Sequence, residues 1–315
     1  MININNISGI LNLNKPSGCS SHDMIYFARR LFGLKKVGHT GTLDPMASGV
    51  LPILIGTATK LSDLLLNHDK TYRAVLKLGI TTDTMDTTGN IIKTAGENAI
   101  LPRLDEVKSA AESFLGEIEQ IPPVYSAIKI KGRKLYEYAR DGIEIKPEPR
   151  KVNIYSITCD TCEKSENPNE YILDINCSKG TYIRSICHDI GEKLSCGGVM
   201  SALERTRSGN FDISDSFTPE YLDGHKKSIE YLCSLLIPSG DVLKTFTEKK
   251  INLSEFYTKL ARNGLEIYIH KIKSDASGFY VGDKVLMYDC DNIFFALGEI
   301  KDYENGIACK PVIFI

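Results

Sequence analysis

A glycine-rich turn that runs into an apolar segment places the strongest restriction on how this chain can fold. Residues 37–51, Val-Gly-His-Thr-Gly-Thr-Leu-Asp-Pro-Met-Ala-Ser-Gly-Val-Leu, include three glycines, which permit tight turns and close approach of the backbone to a ligand. Pro45 disfavours helical geometry at Asp44. Val50 to Ile55 then has the apolar composition of a buried strand. The sequence therefore predicts a stiff loop beside a buried strand.

Asp44 is the only carboxylate between Met24 and Ser62. An acid held on a stiff turn beside a buried strand is a candidate reactive group. An aspartate that only caps its own turn is the alternative, and the residues alone leave both open. The glycosidase pattern is absent, because no second carboxylate lies nearby in the sequence. The P-loop pattern is absent too, because no Lys-Ser/Thr pair follows the last glycine.

Metal and redox sites find little support in the pattern of ligand residues. His39 and Asp44 would give a metal two ligands with no obvious third. Cys159-Asp-Thr-Cys162 is a lone CxxC, whereas zinc would need a second pair at suitable spacing. We interpret these two cysteines as packing at a strand end. These residues therefore give only weak support for a metal site.

Composition indicates an ordinary globular protein, with 42% hydrophobic and 25% charged residues. No apolar run approaches the roughly 18 residues needed to span a bilayer, and Met1-Ile-Asn-Ile-Asn-Asn does not have the pattern of a secretory signal. The nine scattered cysteines indicate free thiols in a reducing compartment. The sequence therefore predicts a cytoplasmic protein without a membrane anchor.

A local basic strip stands out from the net charge of −2. Residues 129–151 carry eight basic and four acidic side chains, with tyrosines within and just before the strip. Such a strip suits RNA phosphates and stacked bases, although a solvated helix face has the same charge pattern. Prolines flank the segment on both sides, so residues 121–150 are predicted to form an exposed excursion from the main body.

The hydrophobic periodicity predicts an α+β body of about 250 residues followed by a β-rich tail. From about Leu253, short β-like runs separated by turn residues are typical of a small barrel. The main predicted strands are Gly9–Leu13, Val50–Ile55, Thr71–Leu78, Val152–Cys159, Tyr171–Cys177 and Gly198–Ser208. The main predicted helices are one that Ser20 or Ser21 caps and Gly33 ends, Thr57–Leu66, Leu104–Leu115 and a helix that ends at Leu194. The polar stretch from Asp212 to Lys227 is predicted to contribute little to the core. The tail runs include Gly278–Val281, Lys284–Met287 and Ile293–Leu297.

Five motifs in one order resemble the TruB family of tRNA pseudouridine synthases. They cover most of residues 9–209 and are far more specific together than any one alone. In chain order they are Asn14-Lys15-Pro16 with Gly38–Pro52, then Lys70-Thr-Tyr72, Gln120–Lys129 with Gly132 and Tyr136–Arg140, Gly180–Ser185, and Leu203–Gly209.

The resemblance implies a pseudouridine-synthase-like mixed sheet with flanking helices over residues 1–250, a thumb at about 121–150, and a small PUA-like RNA-binding domain over 251–315. It implies an isomerase that converts uridine to pseudouridine at position 55 in the T loop of tRNA, without cofactor or metal. Asp44 becomes the catalytic group by motif match. Two routes stay open, because an ionised carboxylate could either attack the sugar or base or take up a proton.

The resemblance also implies roles for the other motif residues. Arg184 would pair with Asp44 and keep it charged, and Tyr72 would stack on the flipped uracil. Tyr182 would pack under the target base, and His39 would help to hold the displaced nucleotide. Lys15 is included among the substrate-binding residues, although bracing of the site suits it better than chemistry. Phosphate contacts are expected from Lys129, Arg133 and Arg140.

Two other functions compete with this hypothesis. A non-catalytic RNA-binding module could use the thumb and tail alone, but it has no need of the combination of Asp44, Tyr72 and Arg184. A synthase that depends on a guide RNA is the alternative within the enzyme class. The long thumb-like insertion and the lack of a basic tail favour a stand-alone enzyme, which we expect to be a monomer that binds the T-arm of tRNA.

Overall fold

A large mixed β-sheet organises the first part of the protein. The structure is a computed structural model, and it describes residues 7–96, 102–126, 128–163, 165, 167–272 and 278–315. The predicted absence of a signal at residues 1–6 therefore lies outside the described residues. The strands are β1 Gly9–Lys15, β2 Val37–His39, β3 Ser48–Ile55, β4 Lys70–Leu78, β5 Ile80–Thr82, β6 Ile91–Thr94, β7 Gly116–Gln120, β8 Lys129–Ile130, β9 Arg133–Lys134, β10 Arg150–Thr161, β11 Glu170–Cys177, β12 Gly198–Ser208, β13 Phe211–Asp212, β14 Lys250–Asn252, β15 Ile267–Tyr268, β16 Lys284–Tyr288, β17 Phe294–Tyr303 and β18 Gly306–Phe314.

The main sheet has nine strands in the described part of the chain. Its order is β1-β3-β12-β4-β11-β10-β7, with β2 paired to β3 and β13 paired to β12. The pairing of β3 with β12 is parallel, and the other pairings are antiparallel. The order brings β3, β12 and β4 side by side, although they are far apart in the sequence. Two of the recognised motifs lie on β4 and β12, and a third lies in the loop just before β3.

Helices cover this sheet and connect its strands. Their bounds are α1 Ser21–Phe32, α2 Ser62–Leu66, α3 Leu104–Glu112, α4 Leu135–Arg140, α5 Ile183–Lys193, α6 Pro219–Gly224, α7 Ile229–Ser234, α8 Ser239–Lys244 and α9 Glu255–Arg262. In α1 the predicted ends are confirmed. Ser20 is the N-cap of a capping box with Asp23, and Gly33 ends the helix with φ 67°.

The strand predictions for the body are confirmed, and the burial pattern shows why they worked. Along β4 every second side chain is buried, as expected for a strand with one face on the core. The predicted pair of strands is β10 with β11, which are antiparallel neighbours. Buried aliphatic side chains of β1, β3, β4 and β11 pack with α1, α3 and α5 into one core. That core fixes the positions of the loops at the end of β1 and before β3.

Three body predictions differ from the structure in detail. β1 continues to Lys15 instead of ending at Leu13, because the whole strand pairs with β3. The predicted helix at 57–66 is a 3₁₀ helix over Gly56–Leu61 followed by the short α2. The polar stretch 212–227, predicted to contribute little to the core, forms α6, whose Leu222 is fully buried in the core. A single apolar residue on a short helix is too weak a pattern to predict this packing.

Residues 121–150 leave the main sheet after β7 and return to it at β10. The described part of this segment contains the β8–β9 hairpin and α4, and Ala127 lies outside the described residues. We call this segment the thumb. Its two stems pair with each other through β7 and β10, since Gln120 is the register partner of Arg150.

The tail forms a second, five-stranded sheet with the order β14-β16-β17-β18-β15. It has its own apolar core, which includes Val285, Met287 and Ile300. A second cluster joins the tail to the body, because Leu286 and Leu297 pack with Ile10 and Val50. The predicted run at 278–281 is not a strand, while the runs at 284–287 and 293–297 lie in β16 and β17. The fold is therefore α+β, with a mixed-sheet body and a separate small β-rich C-terminal domain.

Candidate active site

The Asp44 loop is fixed by hydrogen bonds to the start of α1. The Leu43 N–H donates to Ser21 Oγ at 2.8 Å, and that hydroxyl donates back to the Leu43 carbonyl at 3.0 Å. The Gly18 N–H donates to the Pro45 carbonyl at 2.8 Å. The loop is thus held on both sides of Asp44. Among the described residues, no backbone N–H of the loop donates to the Asp44 carboxylate, so the alternative of a turn-capping aspartate does not fit.

Lys15 braces this loop from below. Its side chain is fully buried, and its Nζ donates to the carbonyls of Cys19 at 2.7 Å and Pro16 at 2.9 Å, with Pro45 at 3.4 Å. Burial lowers the pKa of Lys15, which is consistent with an amine surrounded by protein. An ammonium enclosed by carbonyls has no exposed surface for a ligand, so the geometry favours bracing by Lys15 over the substrate contact for which it was also considered. The bracing role that the sequence favoured is the one that the geometry supports.

Arg184 meets Asp44 across the pocket. It lies in the first turn of α5, and its Nε is 3.0 Å from Asp44 Oδ2. The side chain is only 6% exposed. Its two Nη atoms donate to the carbonyls of Thr84, at 3.2 Å, and Tyr125, at 3.0 Å. The guanidinium is therefore fixed in orientation by groups from the body and from the thumb.

Asp86 is a second carboxylate beside Arg184, and sequence reasoning did not assign it a role. Its Oδ2 is 3.7 Å from Arg184 Nη1, and its side chain is 6% exposed. Its Oδ1 accepts hydrogen bonds from the Thr84 hydroxyl and the Thr88 N–H. A buried carboxylate with this many donors is well placed to hold Arg184. The threonines around Asp86 could have indicated in the sequence that this carboxylate is buried, because they supply the hydroxyl donors that a buried carboxylate needs.

The pKa of Asp44 is set by two opposing effects. Burial raises it above the ordinary aspartate value, Arg184 lowers it, and the negative charge of Asp86 raises it further. Arg184 therefore acts in the predicted direction, but the net pKa is raised because loss of water outweighs the ion pair. The side chain remains 38% exposed toward the open pocket, so water still reaches the carboxylate before substrate fills the space.

Two tyrosines complete the pocket around Asp44 and Arg184. Tyr72 on β4 and Tyr182 at the N-terminus of α5 both line it, together with Leu203 of β12. The backbone of Tyr182 is fixed by Gln120, whose amide accepts from its N–H at 2.8 Å and donates to its carbonyl at 3.0 Å. The pocket thus combines one ionisable acid, one arginine and two aromatic rings. Such a lining suits a planar, polar ring inserted from outside.

Comparison with known proteins places this arrangement in one family. Residues 29–183 match the family described as TruB family pseudouridylate synthase (N terminal domain), and residues 184–244 match the tRNA pseudouridylate synthase B C-terminal domain. The tRNA pseudouridine synthase B of Clostridium tetani is 44% identical over 286 residues, which cover 89% of this chain and 94% of that protein. The protein of the same name from Clostridium kluyveri is 44% identical over 300 residues, covering 95% and 97%.

The chain belongs to the TruB family of pseudouridylate synthases. The fold agrees with this assignment. A chain in the crystal structure of a Cbf5-Nop10-Gar1 complex has a TM-score of 0.69 and 26% identity, with coverage of 97% of this chain and 84% of that one. Four of the five TruB-family motifs thus supply residues that line one pocket, and the thumb motif contacts it through hydrogen bonds of Tyr125 to Arg184 and of Gln120 to Tyr182.

The remaining motif residue of the Asp44 loop in this TruB-family chain is His39. It lies on β2 and is partly buried, outside the residues that line the pocket. Burial lowers the pKa of His39, and the positive charge of Arg205 lowers it further. Its Nδ1 is buried without a protein hydrogen-bond partner in the described structure. His39 is therefore neutral near pH 7 and retains an unused polar atom.

The three predicted phosphate contacts of the thumb differ in availability. Lys129 and Arg140 are exposed, and the Arg140 guanidinium lies 5.4 Å from the centre of the Tyr136 ring. Arg133 instead forms ion pairs with Glu137 and Asp141 inside the thumb, and its guanidinium lies over Tyr138. Its contacts tie the hairpin to α4. Lys129 and Arg140 are thus freer to meet an external anion than Arg133.

Arg205 is a second buried arginine that sequence reasoning did not single out, although its motif was recognised. It is 1% exposed and lies on β12 beneath the pocket. The sequence contained a pattern that could have indicated the burial of Arg205. Arg205 and Leu203 lie two residues apart on a predicted strand, so a cation shares the inward face with an apolar residue.

Two kinds of site are not found in the described part of the chain. No group of three or more His, Cys, Asp or Glu side chains could hold a metal ion there, and no helix there is long and apolar enough to cross a membrane. Cys159 is buried on β10, and burial raises its pKa to about 11. A thiol in that environment is poorly suited to metal or redox chemistry.

Proposed function

We propose that this protein converts the uridine at position 55 in the T loop of tRNA to pseudouridine, with Asp44 as the reacting acid. The observation that carries the proposal is the Asp44–Arg184 contact of 3.0 Å in a pocket lined by Tyr72 and Tyr182. Asp44 and Arg184 come from two motifs, at residues 38–52 and 180–185, that are far apart in the sequence. A protein that only bound RNA would need neither an acid desolvated at the base of a pocket nor an arginine buried to hold it.

The reaction defines what the pocket must do. The bond between C1′ of the ribose and N1 of uracil breaks, the base rotates, and a bond forms between C1′ and C5. The proton on C5 is lost and N1 gains one, so the product is an isomer of the substrate. Asp44 must be ionised, whether it attacks the sugar or the base or takes up a proton. Arg184 stabilises the ionised form of Asp44. Its hydrogen bonds to the carbonyls of Thr84 and Tyr125 hold the guanidinium in place while the charge on Asp44 changes during the reaction.

The base must leave the T loop to reach Asp44, and the tyrosines offset this cost. Extrusion of a nucleotide costs a few kcal/mol, while stacking on an aromatic ring contributes about 1–3 kcal/mol per base. Tyr72 and Tyr182 line the pocket on β4 and α5. In the proposed complex Tyr72 stacks on the uracil and Tyr182 packs beneath it. His39, which lies on β2 beside the Asp44 loop, contacts the displaced nucleotide or its neighbour.

The partner is proposed to be the T-arm of tRNA, bound without a guide RNA. Lys129 and Arg140 on the thumb are the proposed phosphate contacts, with Arg133 shaping the hairpin that carries Lys129. The C-terminal domain, residues 251–315, is proposed to act as a PUA-like RNA-binding unit. The stand-alone form is supported by 44% identity to proteins named tRNA pseudouridine synthase B, against 26% to the Cbf5 complex. We propose a cytoplasmic monomer, in keeping with nine free cysteines.

The direct assay for this function uses release of tritium from C5. Unmodified tRNA transcribed with [5-³H]uridine releases tritium to water when C5 forms its bond to C1′ and loses its hydrogen. We expect the purified protein alone to release one equivalent of tritium per tRNA. No release above that of a protein-free control, with folded protein and confirmed tRNA binding, would contradict the proposal and favour a binding module.

The rate of the reaction should depend on pH through Asp44. The pKa of this carboxyl is raised by burial, so the ionised form is lost at a higher pH than for an ordinary aspartate with a value of 3.8. The single-turnover rate constant is therefore expected to fall as pH falls, with a midpoint above 3.8. Circular dichroism over the same range controls for unfolding. A rate constant that stays level down to pH 4, in folded protein saturated with tRNA, would contradict the assigned pKa direction.

Removal of the Tyr72 ring should separate stacking from the hydroxyl. Tyr72→Phe keeps the ring and is expected to retain activity within about tenfold. Tyr72→Ala loses stacking of about 1–3 kcal/mol, which corresponds to a loss of roughly 5- to 150-fold. Tyr155→Ala, at an exposed tyrosine of β10, is the control for loss of a surface ring. Equal single-turnover rates for the wild type and both Tyr72 variants would exclude the stacking role.

A further inference from the structure

Arg205 is a buried cation that the chemistry of Asp44 and Arg184 does not use. It lies in the middle of β12, and among the described residues it is the largest whose side chain is fully buried. No carboxylate forms an ion pair with it among the residues that the structure describes. Buried charges are ordinarily paired or fully hydrogen-bonded, because removal from water is costly. The hydrogen bonds of Arg205 therefore show what keeps it there.

Those hydrogen bonds tie β12 to the Asp44 loop and to β3. Arg205 Nε donates to the Val50 carbonyl at 2.7 Å, and Nη2 donates to the Gly41 carbonyl at 3.1 Å. Gly41 stands three residues before Asp44, in the left-handed region at φ 100°. The backbones also approach closely here, since a Cβ on Gly49 would lie 2.3 Å from the Arg205 carbonyl oxygen. One side chain thus fixes both ends of the segment that carries Asp44.

The same side chain faces Tyr72. Arg205 is the register partner of Tyr72 across β12 and β4, next to an irregularity between Arg205 and Arg207. Directly opposed residues in an antiparallel pair have Cβ atoms about 4.5–5.5 Å apart, and bulges near active sites often re-aim a side chain. Burial raises the pKa of Tyr72, and the charge of Arg205 opposes that rise. The guanidinium therefore lies close to the phenol as well as to the loop.

We propose that Arg205 is a positioning residue for the reaction, setting the distance between the Asp44 loop and the Tyr72 ring by holding the Gly41 carbonyl on one side and facing the phenol on the other. This inference rests on the proposed function. Arg205 does not touch the uracil. Its planar fork of donors fixes two backbone carbonyls at once, which a lysine with a single ammonium cannot do in the same geometry.

The test compares Arg205→Lys and Arg205→Met with the same changes at Arg207. Arg207 lies on the same strand and is exposed. Its Nε donates to the Gly209 carbonyl, two residues further along the chain, at 2.8 Å. For each variant we would measure the single-turnover tritium-release rate, the dissociation constant for tRNA and the melting temperature. A residue that only stabilises the fold would change melting and binding along with the rate. A positioning residue changes the rate constant while binding is kept.

We expect Arg205→Lys to lose about 30-fold in rate and Arg205→Met at least 300-fold, with tRNA affinity within threefold and melting above the assay temperature. The Arg207 variants should stay within threefold in every measurement. If Arg205→Met does not fold, Arg205→Lys decides the question. Near-wild-type rates in folded Arg205→Lys, or a loss of tRNA affinity equal to the loss in rate, would overturn the positioning role. Wild-type protein that releases no tritium would instead overturn the proposed function, and the role of Arg205 with it.

Discussion

Asp44→Asn is expected to abolish pseudouridine formation while leaving tRNA binding within about threefold of wild type. The amide keeps the size of the carboxyl and an oxygen that can accept from Arg184 Nε, now 3.0 Å from Asp44 Oδ2. It can neither attack the nucleotide nor take up a proton. We expect the single-turnover rate to fall by at least about 10³-fold, equivalent to about 4 kcal/mol at 1.36 kcal/mol per tenfold. Tritium release with enzyme in excess over tRNA measures it.

The matched control for this substitution is Asp174→Asn. Asp174 also pairs with an arginine, Arg73, at 2.8 Å, but both side chains are largely exposed on the sheet surface. This variant should keep the wild-type rate. Residual turnover near wild type in purified Asp44→Asn would exclude Asp44 as the essential acid. A large loss of tRNA affinity in that variant would show that the carboxylate acts mainly in binding.

Arg184→Met is expected to produce the second largest loss, of at least about 100-fold. The change removes the only cation paired with Asp44 and Asp86 in the described structure and leaves two neighbouring carboxylates in a poorly hydrated pocket. The pKa of Asp44, already raised, should rise further, because Arg184 lowers it and Asp86 raises it. A larger fraction of Asp44 is then protonated near pH 7. Arg184→Lys should lose activity too, since an ammonium cannot reach both carboxylates and the carbonyls of Thr84 and Tyr125.

The pH profile separates this explanation from simple loss of structure. In Arg184→Met the acidic limb of the rate profile should move to higher pH, and raising the pH should recover part of the activity. Breaking a buried pair costs about 3–5 kcal/mol of stability, so the melting temperature must be followed in parallel. Arg73→Met breaks an exposed pair, with Arg73 56% exposed, and should cost about 1 kcal/mol or less. An Arg184→Met rate equal to wild type would contradict the role of the ion pair.

The sequence predicted the local structure around the site better than the contacts within it. Caps and breakers act over a few residues, so Ser20 and Gly33 could be recognised as the ends of α1. The meeting of Asp44 with Arg184 depends on the strand order β3-β12-β4-β11, because Asp44 precedes β3 and Arg184 follows β11. No periodicity reveals that order, and only the resemblance of whole motifs brought the two residues together. Their approach to 3.0 Å is a tertiary fact.

Three site features could not be predicted because they depend on burial. Bracing by Lys15 was favoured from the sequence, but the sequence did not show how: β1 extends two residues beyond its predicted end, and the buried Lys15 ammonium contacts the carbonyls of Cys19 and Pro16. Asp86 stands in a polar stretch that resembles an exposed turn. The pKa of Asp44 is raised because the effect of burial is larger than the opposing effect of the Arg184 charge. The sequence indicated the arginine but not the burial. In each case the sequence contains the residue but does not reveal how deeply the fold buries it.

The most direct test of the central claim is chemical mapping of pseudouridine in an unmodified tRNA transcript after treatment with the purified protein. Pseudouridine is derivatised selectively by carbodiimide and then stops reverse transcriptase, which locates each modified position. We expect one strong stop, at uridine 55 of the T loop, with wild-type protein and with Asp174→Asn, and no stop with Asp44→Asn. Modification at another position, or a stop at uridine 55 with Asp44→Asn as strong as with wild type, would contradict it.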